Sequence, residues 1–341
     1  MKFLFCVFFF LEAQLSLASI NYEVGQKDFS LRDETRKRQL STYVWYPTTV
    51  KANPAKDRRG PFLPVVATKD APIARGLSKF PVVLLSHGSG GKADKLFWLT
   101  SYLVRHGVIV IAIDHPGNMT GDNSADGMMR VWERAKDLTF ALDHLLQKSD
   151  FRAYLDITKL AATGHSAGGA TVLLLAGARL SSTRFISPVP FCEGSKDPYF
   201  AGICNELKTL DLKKYSQKTV EDDYSDPRVK AIVGLDPGMA QSFEPNSLKN
   251  LKIKAMLLIA DKLNSPQDQI FSKNFLELLP AKAAEIVPNS YHMTFFQACR
   301  PDFPKNDPEL REICIRSEEK VKAQGEIAKR ILEFFTLAWT Q

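Results

Sequence analysis

The residues with the clearest chemical potential are Gly164-His165-Ser166-Ala167-Gly168-Gly169. They fit G-x-S-x-G, which by itself is a common accident of sequence. Here the motif follows a short apolar strand, Leu160 to Thr163, and opens a small-residue helix, Ala167 to Ala178. That setting predicts a tight strand-to-helix turn, with the Ser166 hydroxyl lifted above a sheet at the positive end of the helix. Such a serine attacks acyl carbons if a base takes its proton. In a scaffold of this kind the partners follow in chain order, an Asp or Glu and then a His. Of six histidines, only His292 lies after Ser166, between the last predicted strand and a helix. His292 is therefore the candidate general base. Two aspartates stand just beyond strands: Asp236 after Val229 to Leu235, and Asp261 after Ile253 to Ile259. Asp236, in Gly234-Leu235-Asp236-Pro237, is the better placed, and Asp261 is the alternative acid. The oxyanion needs two backbone donors. The amide of Ala167 is one candidate, and that of Ser89, in His87-Gly88-Ser89-Gly90-Gly91, is the other.

The surrounding pattern says what must hold these groups. Pro81 to Ser86 and Val108 to Ile113 are nearly all apolar, as expected of strands covered on both faces. Arg38 to Tyr46 alternates and reads as a strand stopped by Pro47, and Ala284 to Val287 reads as the last strand. Helical spacing runs over Lys92 to His106, Met128 to Gln147 and Lys320 to Leu337. Strands alternating with helices predict an α/β architecture, a mainly parallel sheet with helices on both faces. Two stretches fall outside the alternation. Residues 48–79 read as a long surface loop, with a short hairpin expected at Phe62 to Val66. Residues 181–227 read as a polar, lid-like insertion.

Four segments together, Ser86-His87-Gly88-Ser89-Gly90-Gly91, Asp114-His115-Pro116-Gly117, Gly164-His165-Ser166-Ala167-Gly168-Gly169-Ala170-Thr171 and Gly234-Leu235-Asp236-Pro237, resemble the platelet-activating-factor acetylhydrolase group and its bacterial relatives labelled as predicted dienelactone hydrolases. Val44-Trp45-Tyr46-Pro47 fits the same group. The resemblance runs from about Thr42 to His292, outside the 48–79 loop and the 181–227 insertion. It implies the α/β-hydrolase fold, Asp236 as the acid, and a cofactor-free esterase acting on short or oxidised acyl esters, including those of phospholipids. A lipid substrate would bring transient contact with a membrane surface. The insertion is foreign to the core of that group. Polyester or lipase-type hydrolysis and serine peptidase activity are the enzymatic alternatives. A catalytically dead binding protein on the same fold would be expected to lose a triad member, and all three positions are filled.

Composition agrees with an ordinary folded chain. Of 341 residues, 45% are hydrophobic and 24% charged, which argues against disorder as the main state. The net charge of +7 comes from 45 basic and 38 acidic residues scattered among one another, with no sustained basic stripe, so a nucleic-acid partner is not expected. Lys2, the apolar run Phe3 to Leu11 and Ser16-Leu17-Ala18 read as a secretory signal peptide over 1–18, leaving one domain over 19–341 and predicting export to the periplasm or medium. Removing that leader removes Cys6 and leaves four cysteines. An even number in an exported chain predicts disulfides, and proximity favours Cys192–Cys204 and Cys299–Cys314. No pair has metal-ligand spacing, so no metal is expected.

Overall fold

The computed structural model describes residues 21–52, 60–75, 79–185, 210–262, 273–280, 283–302, 310–314 and 316–340, together with Asn205 and Lys208. The leader segment and the Cys192–Cys204 pairing lie outside the described residues, as does most of the first half of the 181–227 insertion.

The strands are β1 (Glu23–Asp33), β2 (Arg38–Thr48), β3 (Thr68–Lys69), β4 (Phe80–Ser86), β5 (Ile109–Asp114), β6 (Asn118–Met119), β7 (Asp122–Asn123), β8 (Leu155–His165), β9 (Val229–Leu235), β10 (Lys254–Ala260) and β11 (Ala284–Val287). Nine of them form one sheet in the order β11-β10-β9-β8-β4-β5-β2-β1-β3. From β11 through β5 every neighbouring pair is parallel, and β2 then pairs antiparallel to β5. This is the α/β-hydrolase fold expected from the sequence. The longer helices are α1 (Phe97–Arg105), α2 (Val131–Lys148), α3 (Ala167–Leu175) and α4 (Ser317–Trp339). One face of the sheet carries α1 and α4 over Val83, Leu85, Val110, Val233 and Leu258, with Phe335 and Ile331 buried against them. The other face carries α2 and α3 over Val82, Leu84, Ile111, Ala162 and Ile232. Strands buried on both faces need apolar side chains on both faces, which is why β4 and β5 lack alternation.

One strand goes unread in the sequence, and two expectations give way. Residues 23–33 form β1, a full-length partner of β2 with Glu23 opposite Thr48. Its sequence, half polar, suits an edge position flanked only by the two-residue β3, and so carries little strand signal. Pro47 does not stop β2, which runs to Thr48; opposite Val24, near the strand end, its missing N–H is tolerated. The hairpin expected at 62–66 does not form. Phe62 instead bridges to Cys299, Leu63 N–H donates to the Ala298 carbonyl at 2.8 Å, and Gln297 Nε2 donates to the Leu63 carbonyl. The segment straps across the chain just beyond His292.

Cys299 and Cys314 form the expected disulfide, Cα to Cα 5.3 Å apart and 15 residues apart in sequence. Closing a loop of that size contributes about 3 kcal/mol on the chain-entropy model. It fastens the end of the His292 segment beside the start of α4.

Candidate active site

Ser166 sits between β8 and α3 with φ 56° and ψ −118°, a backbone conformation that L-residues avoid. What makes the turn possible is the absence of side chains around it. A Cβ on Gly168 would overlap the Ser86 carbonyl oxygen, and one on Gly164 would lie 2.7 Å from that same oxygen. One on Gly169 would lie 2.6 Å from Pro237 Cβ. The three glycines therefore let the turn press against the ends of β4 and β9 at once. The spacing that marks the motif in sequence is the spacing of these close approaches.

The backbone then ties the predicted residues into one place. Ser166 N–H donates to the Leu235 carbonyl at 3.0 Å, and the Ser166 carbonyl accepts from Gly238 N–H at 3.0 Å. These two bonds bracket Asp236. His165 Nε2 lies 3.0 Å from the His292 carbonyl oxygen, which can only accept, so the imidazole carries its proton on Nε2. The His165 ring packs 4.5 Å from the His292 ring, with Phe295 beyond. Burial and the neighbouring His292 hold the His165 pKa well below the usual histidine value, so it is neutral.

Asp236, 3% exposed, accepts from His292 Nδ1 at 2.6 Å through Oδ2 and from Ala260 N–H at 2.9 Å through Oδ1. The carboxylate thus fixes the proton of neutral His292 on Nδ1, which makes Nε2 the unprotonated ring nitrogen. Asp261 does something else. Its Oδ2 accepts from Asn289 N–H at 3.0 Å and its own N–H donates to Ser290 Oγ at 3.2 Å, bracing the turn that leads into His292. From the far side, α4 reaches in: Gln324 Nε2 donates to the carbonyls of Thr294 at 2.9 Å and Phe296 at 2.7 Å.

Ala167 is the first residue of α3, so its amide belongs to the unsatisfied first turn of a helix. The Ser89 loop lies alongside. A Cβ on Gly88 would be 3.5 Å from Ser166 Cβ, and the loop closes with Gly91 N–H donating to the Gly88 carbonyl, Gly90 at φ 67°. The described residues contain no cluster of three His, Cys, Asp or Glu side chains able to hold a metal.

Beneath the loop lies a polar cluster that sequence reasoning missed. Ser86 Oγ is 3.0 Å from His115 Nε2, and His115 Nδ1 is 3.0 Å from Asp137 Oδ2. Arg36 and Arg38 complete Asp137, each at 2.8 Å. Burial would raise the Asp137 pKa, but the bonds from His115 and Arg38 outweigh it and hold it well below the usual carboxylate range. Burial, with Arg134 nearby, pushes His115 down to about 3. The Ser86–His115–Asp137 connectivity imitates a catalytic relay. Yet the three side chains are wholly enclosed, Ser86 lies within β4 rather than on an exposed turn, and its hydroxyl also accepts from Arg134 Nη2 at 3.1 Å. No substrate carbon can reach it. The one signal available beforehand was Asp114-His115-Pro116-Gly117. Asp114 there accepts from Ala93 N–H at 2.7 Å and from Tyr43 OH at 3.1 Å.

Comparison with known proteins agrees with this fold. Residues 82–302 match the model of the alpha/beta hydrolase family. The chain is 33% identical over 102 residues to cutinase est1 of Thermobifida alba, covering 29% of this chain and 31% of that one. It is 32% identical over 102 residues to cutinase 1 of Thermobifida cellulosilytica, covering 29% of this chain and 36% of that one. The match thus spans about a third of each curated relative. Among solved structures, a ferulic acid esterase from Streptomyces cinnamoneus superposes with a TM-score of 0.57 at 21% identity, over 92% of this chain and 89% of that one. That likeness establishes the fold.

Proposed function

The chain belongs to the alpha/beta hydrolase family, and from that premise we propose that it is a serine carboxylic-ester hydrolase working through an acyl-enzyme. The observation that carries the reading is the Asp236–His292 hydrogen bond at 2.6 Å, set beside a serine held at positive φ between a sheet and a helix. In this reading His292 Nε2 takes the Ser166 proton as Oγ attacks the ester carbonyl. Asp236 stabilises the imidazolium, and the amides of Ala167 and Ser89 receive the oxyanion. The imidazolium protonates the departing alcohol, and water activated by the same base releases the acyl group. The substrate class we favour is short or oxidised acyl esters of the acetylhydrolase type. The cutinase match, which includes no more than a third of the chain, favours a second reading in which the acyl group belongs to a polyester. Export follows the same proposal, supported by the leader-like first residues and by the Cys299–Cys314 disulfide.

A fluorophosphonate probe tests the reaction. Wild-type protein should be labelled stoichiometrically, Ser166→Ala should not, and Ser86→Ala should still be labelled at Ser166. Labelling lost in Ser86→Ala but kept in Ser166→Ala would reverse the assignment. p-Nitrophenyl esters of two to sixteen carbons, an oxidised phospholipid and a polyester film, compared side by side, separate the substrate classes; amide substrates should not turn over.

A further inference from the structure

Arg134, on the first turn of α2, is 1% exposed. Within the described residues no carboxylate is in ion-pair contact with it; its nearest acidic influence is Asp137, itself held by Arg36, Arg38 and His115. A charge buried on such terms is costly, and an apolar side chain would serve packing better. Its four hydrogen bonds point to a different use. Nη1 donates to Asn118 Oδ1 at 2.6 Å. Nη2 donates to Ser86 Oγ at 3.1 Å and to the His87 carbonyl. Nε donates to Thr171 Oγ1 at 3.2 Å.

Two of these partners pass the contact on. Asn118 Nδ2 donates to Ser89 Oγ at 2.8 Å. Thr171 Oγ1 donates to the Ala167 carbonyl at 2.8 Å. Ser89 and Ala167, whose amides are the two oxyanion donors of the proposed reaction, are therefore each one residue removed from the same guanidinium. The loop holding Ser89 is pinned again where Arg134 grips the His87 carbonyl, and His87 itself is locked. Its Nδ1 donates to the Gly88 carbonyl at 2.7 Å and its Nε2 accepts from His115 N–H at 3.1 Å. A planar fork with donors at fixed angles can set the separation of two backbone segments in a way a lysine point charge cannot. An oxyanion hole works only when its donors are placed before charge develops.

We propose that Arg134 is the positioning residue of the oxyanion hole, setting the Ser89 loop through Asn118 and the Ala167 turn through Thr171. The inference rests on the esterase reading above. It requires no contact between Arg134 and substrate, so its signature lies in the transition state and not in binding.

The test is a double-mutant cycle on the full chain with a soluble p-nitrophenyl ester. Ser89→Ala keeps the amide and removes only the tether. It should lower kcat about tenfold with KM within about twofold, a fraction of the loss that follows deletion of a whole donor. Arg134→Lys, which keeps the charge but not the fork, should lower kcat by about ten- to a hundredfold. If the two act along one path, Ser89→Ala should cost less than about twofold in the Arg134→Lys background. The inhibition constant of a trifluoromethyl ketone, whose adduct places an oxyanion in the hole, should rise in parallel with the fall in kcat/KM. Should Arg134→Lys fail to fold, Ser89→Ala alone decides. The inference is overturned if wild type turns over while Ser89→Ala keeps full kcat, if the two losses multiply, or if the loss lies in KM. A wild type that neither turns over nor labels at Ser166 would remove the esterase reading itself and the inference with it.

Discussion

Asp236→Asn is a nearly isosteric change whose effect can be worked out atom by atom. Ala260 N–H points at Asp236 Oδ1 from 2.9 Å. An asparagine must keep its carbonyl oxygen there, because the amide nitrogen would place donor against donor. Its NH2 group then faces His292 Nδ1 at the 2.6 Å position now held by Oδ2. His292 can meet that donor only with a bare Nδ1, so its proton moves to Nε2, and a protonated Nε2 cannot take a proton from Ser166. Substitutions of this kind in a Ser-His-Asp relay cost about four orders of magnitude in kcat, or about 5 kcal/mol of transition-state stabilisation. KM should change little, and the melting curve should stay close to that of wild type. The control is Asp261→Asn, which alters only the turn bonded to Asn289 and should keep activity within about threefold. The assay is steady-state hydrolysis of p-nitrophenyl butyrate, with circular dichroism to establish folding. If Asp236→Asn retains activity within tenfold of wild type, or Asp261→Asn loses a hundredfold, the tautomer argument is wrong.

Other consequences are open to direct measurement. His87, His115 and His165 are all buried with pKa values far below that of a free histidine, chiefly because burial penalises the charged ring. The unfolded chain binds three protons below about pH 6.5 that the folded chain refuses, so stability is present above that value and should fall by about 4 kcal/mol per pH unit near pH 5; urea titrations from pH 7 to 4.5 measure it. Lys320, 5% exposed, is pushed down to about 8 by burial while its Nζ donates to the Ile313 carbonyl. Its folded pKa lies below the unfolded one, so stability should rise between about pH 8 and 10.5, by about 3 kcal/mol in all. Lys320→Met should remove that rise, read as the difference between paired pH–melting curves. Gly168→Ala should abolish activity and lower the melting temperature, because the new Cβ meets the Ser86 carbonyl and backbone cannot yield cheaply. Gly325→Ala, where a Cβ meets nothing within 4 Å on the exposed side of α4, should stabilise by about 0.5–1 kcal/mol.

How much of this was legible beforehand depends on whether a feature is local. Ser166 was readable because its strand, turn and helix are consecutive and its glycines answer contacts at fixed offsets. His292 is nominated by elimination, and Asp236 is preferred over Asp261 although both aspartates follow strands; the structure brings His292 Nδ1 to 2.6 Å from Asp236. β9 and β11 fall where the apolar runs put them, whereas β8 begins at Leu155, five residues before its apolar core, because its first half pairs at the sheet end and is only partly buried. The helix expected from Met128 instead breaks at Arg130, with a short capped turn over Ala125–Met129 before α2. Apart from Asp114-His115-Pro116-Gly117, nothing in the sequence announced the Arg134 cluster. Arg134 and Asp137 sit on α2 beside Ala135 and Leu138, and all four are buried, yet charged residues on a helix are normally assigned to solvent. Their partners lie on the turn between β1 and β2, on β2, β4 and the loop after it, on the loop after β5, on β6 and on α3, so only the folded chain brings these groups together. β1 was missed for the opposite reason, since an edge strand can be half polar and still pair along its whole length.

The bonds from Gln324 into the His292 segment place the latch of the proposed base downstream of that residue. A ribosome delivers Ser166, then Asp236, then His292, and only afterwards the helix that holds His292 in register. Turnover therefore becomes a reporter of finished synthesis. A chain stopped between Phe296 and Ser317 keeps Ser166, Asp236 and His292 and every strand of the sheet, but not the grip that α4 supplies, and should be enzymatically silent. That order would delay activity until the last helix had docked.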